Sequence, residues 1–313
     1  MNLKKPKFWD YKKPNYISYL LRPFTLPIII NNFFFNLVKN DKKYQNIKTI
    51  CLGNIYVGGT GKTPLSIKIS KILENLNFKT ATIKKFYKNQ IDEQKLLANK
   101  TKLYCNKKRV KALNEAIKDN VDVAIFDDGL QDGSINYDLR FVCFNTLSWI
   151  GNGSLIPAGP LRENLKNISN YDAIFLNGNQ EDVSEIKLSI KKYSSNIKIF
   201  ETYYESNNIN KYNTSDRYII FSGIGNPESF RKMLDKKKFN IIQEIKFPDH
   251  HQYSSKDINK IKLLAKNLNA KILTTEKDLV KINNNDNNEI GSVTIDLIIK
   301  QEDELIKYIK SNI

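Results

Sequence analysis

The chain has 313 residues, 41% of them hydrophobic, enough to bury a sizeable core and more than one typical domain requires. Its 50 Lys+Arg against 33 Asp+Glu give a net charge of +17, which fits a polyanionic partner (nucleic acid, an anionic membrane, a phosphorylated substrate) and equally a solvated Lys-rich surface, since Lys, Asn and Ile are abundant throughout. Three cysteines without metal-type spacing and only two histidines, His250 and His251, exclude a disulfide framework, a zinc cluster built on Cys pairs and a His-rich metal site; they indicate a reducing compartment.

Residues 1–40 form a distinct N-terminal segment. Lys4, Lys5, Lys7, Lys12 and Lys13 interleave with Phe8, Trp9 and Tyr11, and an apolar run follows from Leu20 to Val38. No small-residue cleavage site follows it, so it is not a secretory signal. Arg22, Pro23, Pro27 and the Asn31-Asn32 pair interrupt it well short of the ~18–20 clean apolar residues that spanning a bilayer needs. The spacing predicts a helix from about Pro27, with Leu26, Ile29, Ile30, Phe33, Phe34 and Leu37 on one side and Asn31, Asn32 and Asn36 opposite. A core helix has the same periodicity. Ile28, Phe35 and Val38 widen the apolar arc beyond one packing partner, which favours a helix lying in a membrane interface.

From about Gln45, β-branched runs alternate with helical stretches. Ile47–Leu52, Thr80–Ile83, Val121–Phe126, Arg140–Phe144 and Ala173–Leu176 read as buried parallel strands, and Lys62–Leu76 as a helix with Leu65, Ile69, Ile72, Leu73 and Leu76 on one face. That is a doubly wound α/β pattern, expected over 41–210. After the polar stretch Glu205–Ser215 the alternation restarts with Tyr218–Phe221, Ile241–Phe247, Lys271–Leu273 and Val293–Ile299, so 211–313 is expected to form a second, smaller α/β domain.

The first strand runs into Gly53-Asn54-Ile55-Tyr56-Val57-Gly58-Gly59-Thr60-Gly61-Lys62-Thr63-Pro64. Strand, Gly-rich turn and helix together make a P-loop. Backbone N–H groups of Gly58, Gly59, Thr60 and Gly61 close around phosphate oxygens, Lys62 reaches the β/γ-phosphates of ATP, and Thr63 ligates Mg²⁺. Tyr56 stands where the usual pattern has its first Gly, so the Gly58–Gly59 pair is expected to supply the tight turn. The strand Val121–Phe126 delivers Asp127-Asp128-Gly129 at its C-terminal edge, the Walker-B arrangement in which a carboxylate holds Mg²⁺ beside the P-loop Thr.

With Pro6-Lys7-Phe8-Trp9, Gly53-Asn54 and Val57–Pro64, Asp92-Glu93 with Leu96-Leu97-Ala98, Asp127-Asp128-Gly129-Leu130-Gln131, Pro157-Ala158-Gly159-Pro160-Leu161-Arg162-Glu163, Gly223-Ile224-Gly225-Asn226-Pro227, Phe247-Pro248-Asp249-His250-His251 and Thr275-Glu276-Lys277-Asp278, the chain resembles the tetraacyldisaccharide 4′-kinase family over almost its whole length. The resemblance implies ATP-dependent phosphoryl transfer to the 4′-hydroxyl of a tetraacylated glucosamine disaccharide 1-phosphate. It also implies a membrane-binding N-terminal helix at the cytoplasmic face of a bacterial inner membrane, with a lipid-linked acceptor and an anionic surface as partners, and no nucleic acid. Asp92 resembles the family's catalytic carboxylate, supported by His250, and Asp127, Asp128 and Glu163 resemble its acidic Mg²⁺ and active-site groups. A positioned carboxylate oriented by a His can accept the proton of a sugar hydroxyl. Two positions depart from the family pattern: Asp132 replaces the His after Asp-Asp-Gly-x-Gln, and Lys84-Lys85-Phe86-Tyr87 replaces an Arg-Gly-Tyr-Gly segment, with a shortened stretch up to Asp92.

The rival reading is a membrane-docked P-loop GTPase or ATPase switch without a small acceptor. Thr275-Glu276-Lys277-Asp278 matches the guanine-reading Asn-Lys-x-Asp only in its last two positions. A nucleic-acid binder rests on net charge alone.

Overall fold

A computed structural model describes residues 5–37, 43–178, 181–249, 251–282 and 289–313. The side chains of Phe33, Phe34, Phe35, Asn36 and Leu37, like the whole of Lys4, Val38 and His250, lie outside the described residues. In chain order the described α-helices are α1 (Tyr16–Leu21), α2 (Leu26–Leu37), α3 (Lys62–Asn75), α4 (Ile91–Lys100), α5 (Arg109–Lys118), α6 (Ser184–Lys191), α7 (Pro227–Lys236), α8 (Ser255–Asn267), α9 (Glu276–Leu279) and α10 (Glu302–Lys310). The strands are β1 (Lys48–Gly53), β2 (Thr80–Lys85), β3 (Leu103–Asn106), β4 (Val123–Asp127), β5 (Leu139–Asn145), β6 (Ala173–Gly178), β7 (Lys198–Ser206), β8 (Arg217–Ser222), β9 (Asn240–Lys246), β10 (Lys271–Thr275), β11 (Ile290–Val293) and β12 (Ile295–Ile299).

Among the described residues, eight strands form one sheet in the order β12-β7-β6-β5-β1-β4-β2-β3. β1 pairs parallel with β4 and β5, β2 with β3 and β4, and β6 with β5 and β7. A central parallel strand is covered on both faces, and β1, β4 and β5 accordingly carry near-continuous apolar runs. Ile50, Leu52, Phe126, Phe141 and Phe144 are wholly buried there, each contributing about 1.5–3 kcal/mol relative to exposure. The order switches direction between β1 and its two neighbours, β4 and β5, and in open α/β sheets ligands bind at the carboxyl ends of the strands beside such a switch. A second sheet, β11-β10-β8-β9, is parallel in each of its pairings, with its own core around Phe221, Tyr218, Ile261 and Leu273.

The chain divides into two compact units. The first contains the described residues of 1–85, 101–203 and 298–313, and the second contains 86–100 and 204–297. The sequence suggests one crossing near residue 210, whereas the chain crosses four times. The last strand expected as Val293–Ile299 is in fact two. β11 joins the small sheet, β12 joins β7, and between them Thr294 turns its N–H to the Asn208 side chain at 3.0 Å. β3 and β7 were not anticipated. β3 is a short, half-buried edge strand, and β7 buries only Phe200 and Thr202 among half-buried neighbours, so neither shows the solid apolar run of a central strand.

Candidate active site

The turn from β1 into α3 is shaped by Asn54, which is fully buried and whose Nδ2 donates to the carbonyls of Tyr56 at 2.6 Å and Gly58 at 3.2 Å. Gly58 has φ of 142° and Gly61 of 86°, conformations that favour glycine, whereas Tyr56 is not at positive φ. A glycine is therefore not required at position 56. Tyr56 is instead buried, its hydroxyl accepting from Lys5 Nζ at 3.0 Å and donating to Asp10 Oδ1 at 2.7 Å. α3 starts at Lys62 without a side-chain cap, leaving the N–H groups and positive dipole end of a 14-residue helix directed at the turn. The Thr60 hydroxyl is buried and has no protein partner.

The Pro157–Glu163 segment lies against this loop. Val57 N–H donates to the Pro160 carbonyl at 2.9 Å, Arg162 N–H donates to that of Ile55 at 2.7 Å, and Tyr56 bridges Leu161 antiparallel. The N-terminal Pro6–Trp9 motif is tied to the segment and to the turn before it: the Trp9 indole donates to the Pro157 carbonyl at 3.0 Å, and Asn152 N–H donates to the Trp9 carbonyl at 2.9 Å. A β-carbon on Gly151 would stand 2.1 Å from that carbonyl oxygen, so this close approach requires glycine.

β4 delivers two carboxylates with different partners. Asp127 is buried; its Oδ2 accepts from Thr63 Oγ1 at 3.0 Å and from Lys84 Nζ at 2.6 Å, and its Oδ1 lies 3.5 Å from Ser66 Oγ. Asp128 adopts φ of 64°, uncommon for a non-glycine residue, and its Oδ1 lies 3.6 Å from Lys62 Nζ and 3.5 Å from Arg162. Burial alone would raise the Asp128 pKa, but Lys62, Arg162, Lys84 and Arg109 outweigh it and hold the carboxyl below its usual range. Glu163 accepts from Tyr171 at 2.6 Å, Asn167 at 3.1 Å and Gln131 at 3.4 Å; Gln131 in turn accepts from Arg162 at 3.2 Å. Asp132 pairs with Arg109 at 2.9 Å, and Arg109 also donates to the Asp128 carbonyl. The carboxylate at this departure from the family pattern thus fixes an arginine that braces the Asp127-Asp128 turn.

The first unit therefore brings together Thr63 with Asp127, and Lys62 with Asp128. Asp92 belongs to the second unit, in the first turn of α4, 1% exposed, with Lys277 Nζ at 3.5 Å and Lys281 Nζ at 3.9 Å. His251 stacks on Phe247 with centroids 4.6 Å apart, and its Nε2 lies 3.3 Å from Asp257.

Sequence reasoning gave no role to Lys84, Arg109, Arg162, Lys277 or Lys281, although Lys84, Arg162 and Lys277 stand in segments that carry or break the family pattern. Lys84 had a signal: a lysine ending an otherwise apolar strand pattern is an unusual buried cation. Removing one partner of a buried ion pair typically costs about 3–5 kcal/mol because the other is left uncompensated. Lys84→Met should lose stability on that order in urea unfolding, and adding Asp127→Asn should recover much of it. A single variant as stable as the parent would show that the pair does not hold β2 to β4.

A sheet parallel through its centre, with a Gly-rich turn, an uncapped helix and a strand-end carboxylate at the switch point, defines a P-loop nucleotide-binding protein. The family model for Tetraacyldisaccharide-1-P 4′-kinase matches residues 23–313. The chain is 50% identical over 315 residues to the Tetraacyldisaccharide 4′-kinase of Pelagibacter ubique, covering 100% of this chain and 99% of that one. It is 35% identical over 326 residues to the Rickettsia typhi enzyme of the same name, covering 97% of each. The crystal structure of LpxK from Aquifex aeolicus in complex with ATP superposes with a TM-score of 0.72 at 24% identity, covering 94% of this chain and 99% of that one, and shares the fold. The chain belongs to the tetraacyldisaccharide 4′-kinase family.

Proposed function

We infer that the protein is a kinase that transfers the γ-phosphoryl group of ATP to the 4′-hydroxyl of a tetraacylated glucosamine disaccharide 1-phosphate, giving lipid IVA. The observation that carries this reading is the Thr63–Asp127 contact of 3.0 Å beside Lys62, in a chain of this family. A switch protein without a small acceptor is not favoured.

Lys62 and the N–H groups of the turn bind the phosphates, the Thr60 hydroxyl finds its acceptor in a phosphate oxygen, and Arg162 adds a second cation over the same anion. The donor set suits Mg²⁺. Thr63, Asp127 and Asp128 present hard oxygens, and among the described residues no group of three or more His, Cys, Asp or Glu could hold a metal ion by itself. Mg²⁺ is usually held by one or two carboxylates together with substrate phosphates, and when bound it neutralises charge on the phosphate oxygens. Glu163, through Gln131, is suited to orient Arg162. Asp92, supported by His250, accepts the proton of the 4′-hydroxyl as that oxygen bonds to phosphorus and ADP leaves. ADP release measured with and without the acylated disaccharide tests the reading. Release should depend on the acceptor, and equal release without it would favour an ATPase.

Such an acceptor is anchored in a bilayer, and we place the enzyme peripherally at the cytoplasmic face, where ATP is available. No described helix is long and apolar enough to cross a membrane. α2 is tied down through Asn32, whose Nδ2 donates to the Arg162 carbonyl at 3.0 Å, while Ile29 is 46% and Ile30 52% exposed, alongside exposed Leu20, Phe24 and Leu26. Each such side chain contributes about 1.5–3 kcal/mol if fully buried in the interface, against ~1 kcal/mol for each nearby cation at an anionic surface. The apolar part should dominate and survive screening by salt. In sedimentation with anionic vesicles, high salt should release the protein only partly, while Ile29→Asp with Ile30→Asp should leave it in the supernatant. Complete release of the parent by salt would make the contact electrostatic.

A further inference from the structure

In the second unit, one ammonium group stands beside two neighbouring carboxylates of α4 and a third from the segment after β9. Lys277 Nζ lies 3.4 Å from Glu93, 3.5 Å from Asp92 and 3.5 Å from Asp249. A second ammonium, Lys281, has a side chain only 1% exposed; it is 2.7 Å from Asp278 and 3.9 Å from Asp92. Asp278 is itself fixed, accepting from Gly223 N–H at 3.1 Å, Tyr253 hydroxyl at 3.0 Å and Thr275 Oγ1 at 2.7 Å. α4 is further tied to α9 by Lys100 and Glu276 at 2.6 Å. A carboxylate as buried as Asp92 is costly to ionise unless opposite charge stands beside it, and the first turn of a helix helps only modestly.

We propose that Lys277 and Lys281 are positioning residues for the base, two ammonium groups that hold Asp92 ionised and fix its direction. This rests on the reading of Asp92 as the proton acceptor. It also gives the Thr275–Asp278 motif a role: it starts the short helix α9 that carries Lys277, with Lys281 just beyond its end, and places Asp278 to hold Lys281. Among the described residues the charged groups of the cluster include Glu93 on α4, Asp249 after β9, and Asp278, Lys277 and Lys281 on and after α9. Burial alone would lower the Lys277 pKa, but Glu93, Asp249 and Asp92 hold it above the ordinary lysine value, so it remains charged through neutral pH.

A base must be ionised to act, so kcat/KM falls on the acid side as Asp92 protonates. An opposite charge within ~4–6 Å typically lowers a carboxyl pKa by about 1–3 units, so removing one of the two cations should move the acid limb upward by about one pH unit. The test compares kcat/KM against pH for the parent, Lys277→Met, Lys277→Arg and Asp92→Asn. The expected result is an upward-shifted limb in Lys277→Met with recovery toward the parent rate at alkaline pH, a parent-like limb in Lys277→Arg, and deep loss in Asp92→Asn. A uniform loss across pH in Lys277→Met, or an unmoved limb, overturns the positioning role while Asp92→Asn still reports on the base. Near-parent turnover in Asp92→Asn overturns the base assignment and this inference with it. Should Lys277→Met not fold, Lys281→Met with Asp278→Asn removes the other cation together with its buried partner, and the same shift decides the matter.

Discussion

Lys62→Ala is expected to reduce phosphoryl transfer by at least about 10³-fold, the upper range for loss of a single preorganised group facing transition-state charge. The lysine opens α3 at the end of the glycine turn and sits 3.6 Å from Asp128 Oδ1, the same oxygen that Arg162 approaches at 3.5 Å. Without Lys62 the developing charge on the β/γ-phosphates loses its closest cation, and Asp128 loses a partner that holds it ionised. Arg162 is braced through Gln131 and stays in place, so residual nucleotide binding should survive better than turnover. Isothermal titration with ATP beside steady-state kinetics separates the two effects. A Lys62→Ala protein turning over within a few-fold of the parent would remove the P-loop from the mechanism.

Asp92→Asn should lower turnover by about 10²–10⁴-fold, the usual contribution of a positioned base, and leave ATP affinity little changed. Asparagine keeps the shape and a carbonyl for Lys277 and Lys281 but cannot take the proton. Parallel losses in ATP affinity and turnover would instead make Asp92 a nucleotide ligand or a structural group.

Much of the first unit was legible because its signals are local. The apolar runs of β1 and β4, the glycines between β1 and α3, and the strand-end carboxylates each occupy a few consecutive residues, and the chemistry of phosphate binding demands them in that order. The helix starting near Pro27 was legible from its period, and α2 spans Leu26–Leu37. What was not legible depends on partners far apart in sequence. Lys84 meets Asp127 across 43 residues, and Lys277 reaches Asp92 only because 86–100 folds with the second unit. Thr294, which is held by Asn207 and Asn208, stands where an apparently continuous β run divides into strands of two different sheets. Tyr56 looked like a defect in the glycine pattern because its negative φ and its partners Lys5 and Asp10 are tertiary facts.

The central claim, phosphorylation of one particular hydroxyl, is tested most directly by characterising the product. Purified protein incubated with γ-labelled ATP and the tetraacylated disaccharide 1-phosphate in anionic vesicles should yield a labelled lipid with a second phosphomonoester, which two-dimensional phosphorus–proton correlation assigns to the 4′ position. Label released only as inorganic phosphate, or attached at any other position, would contradict it.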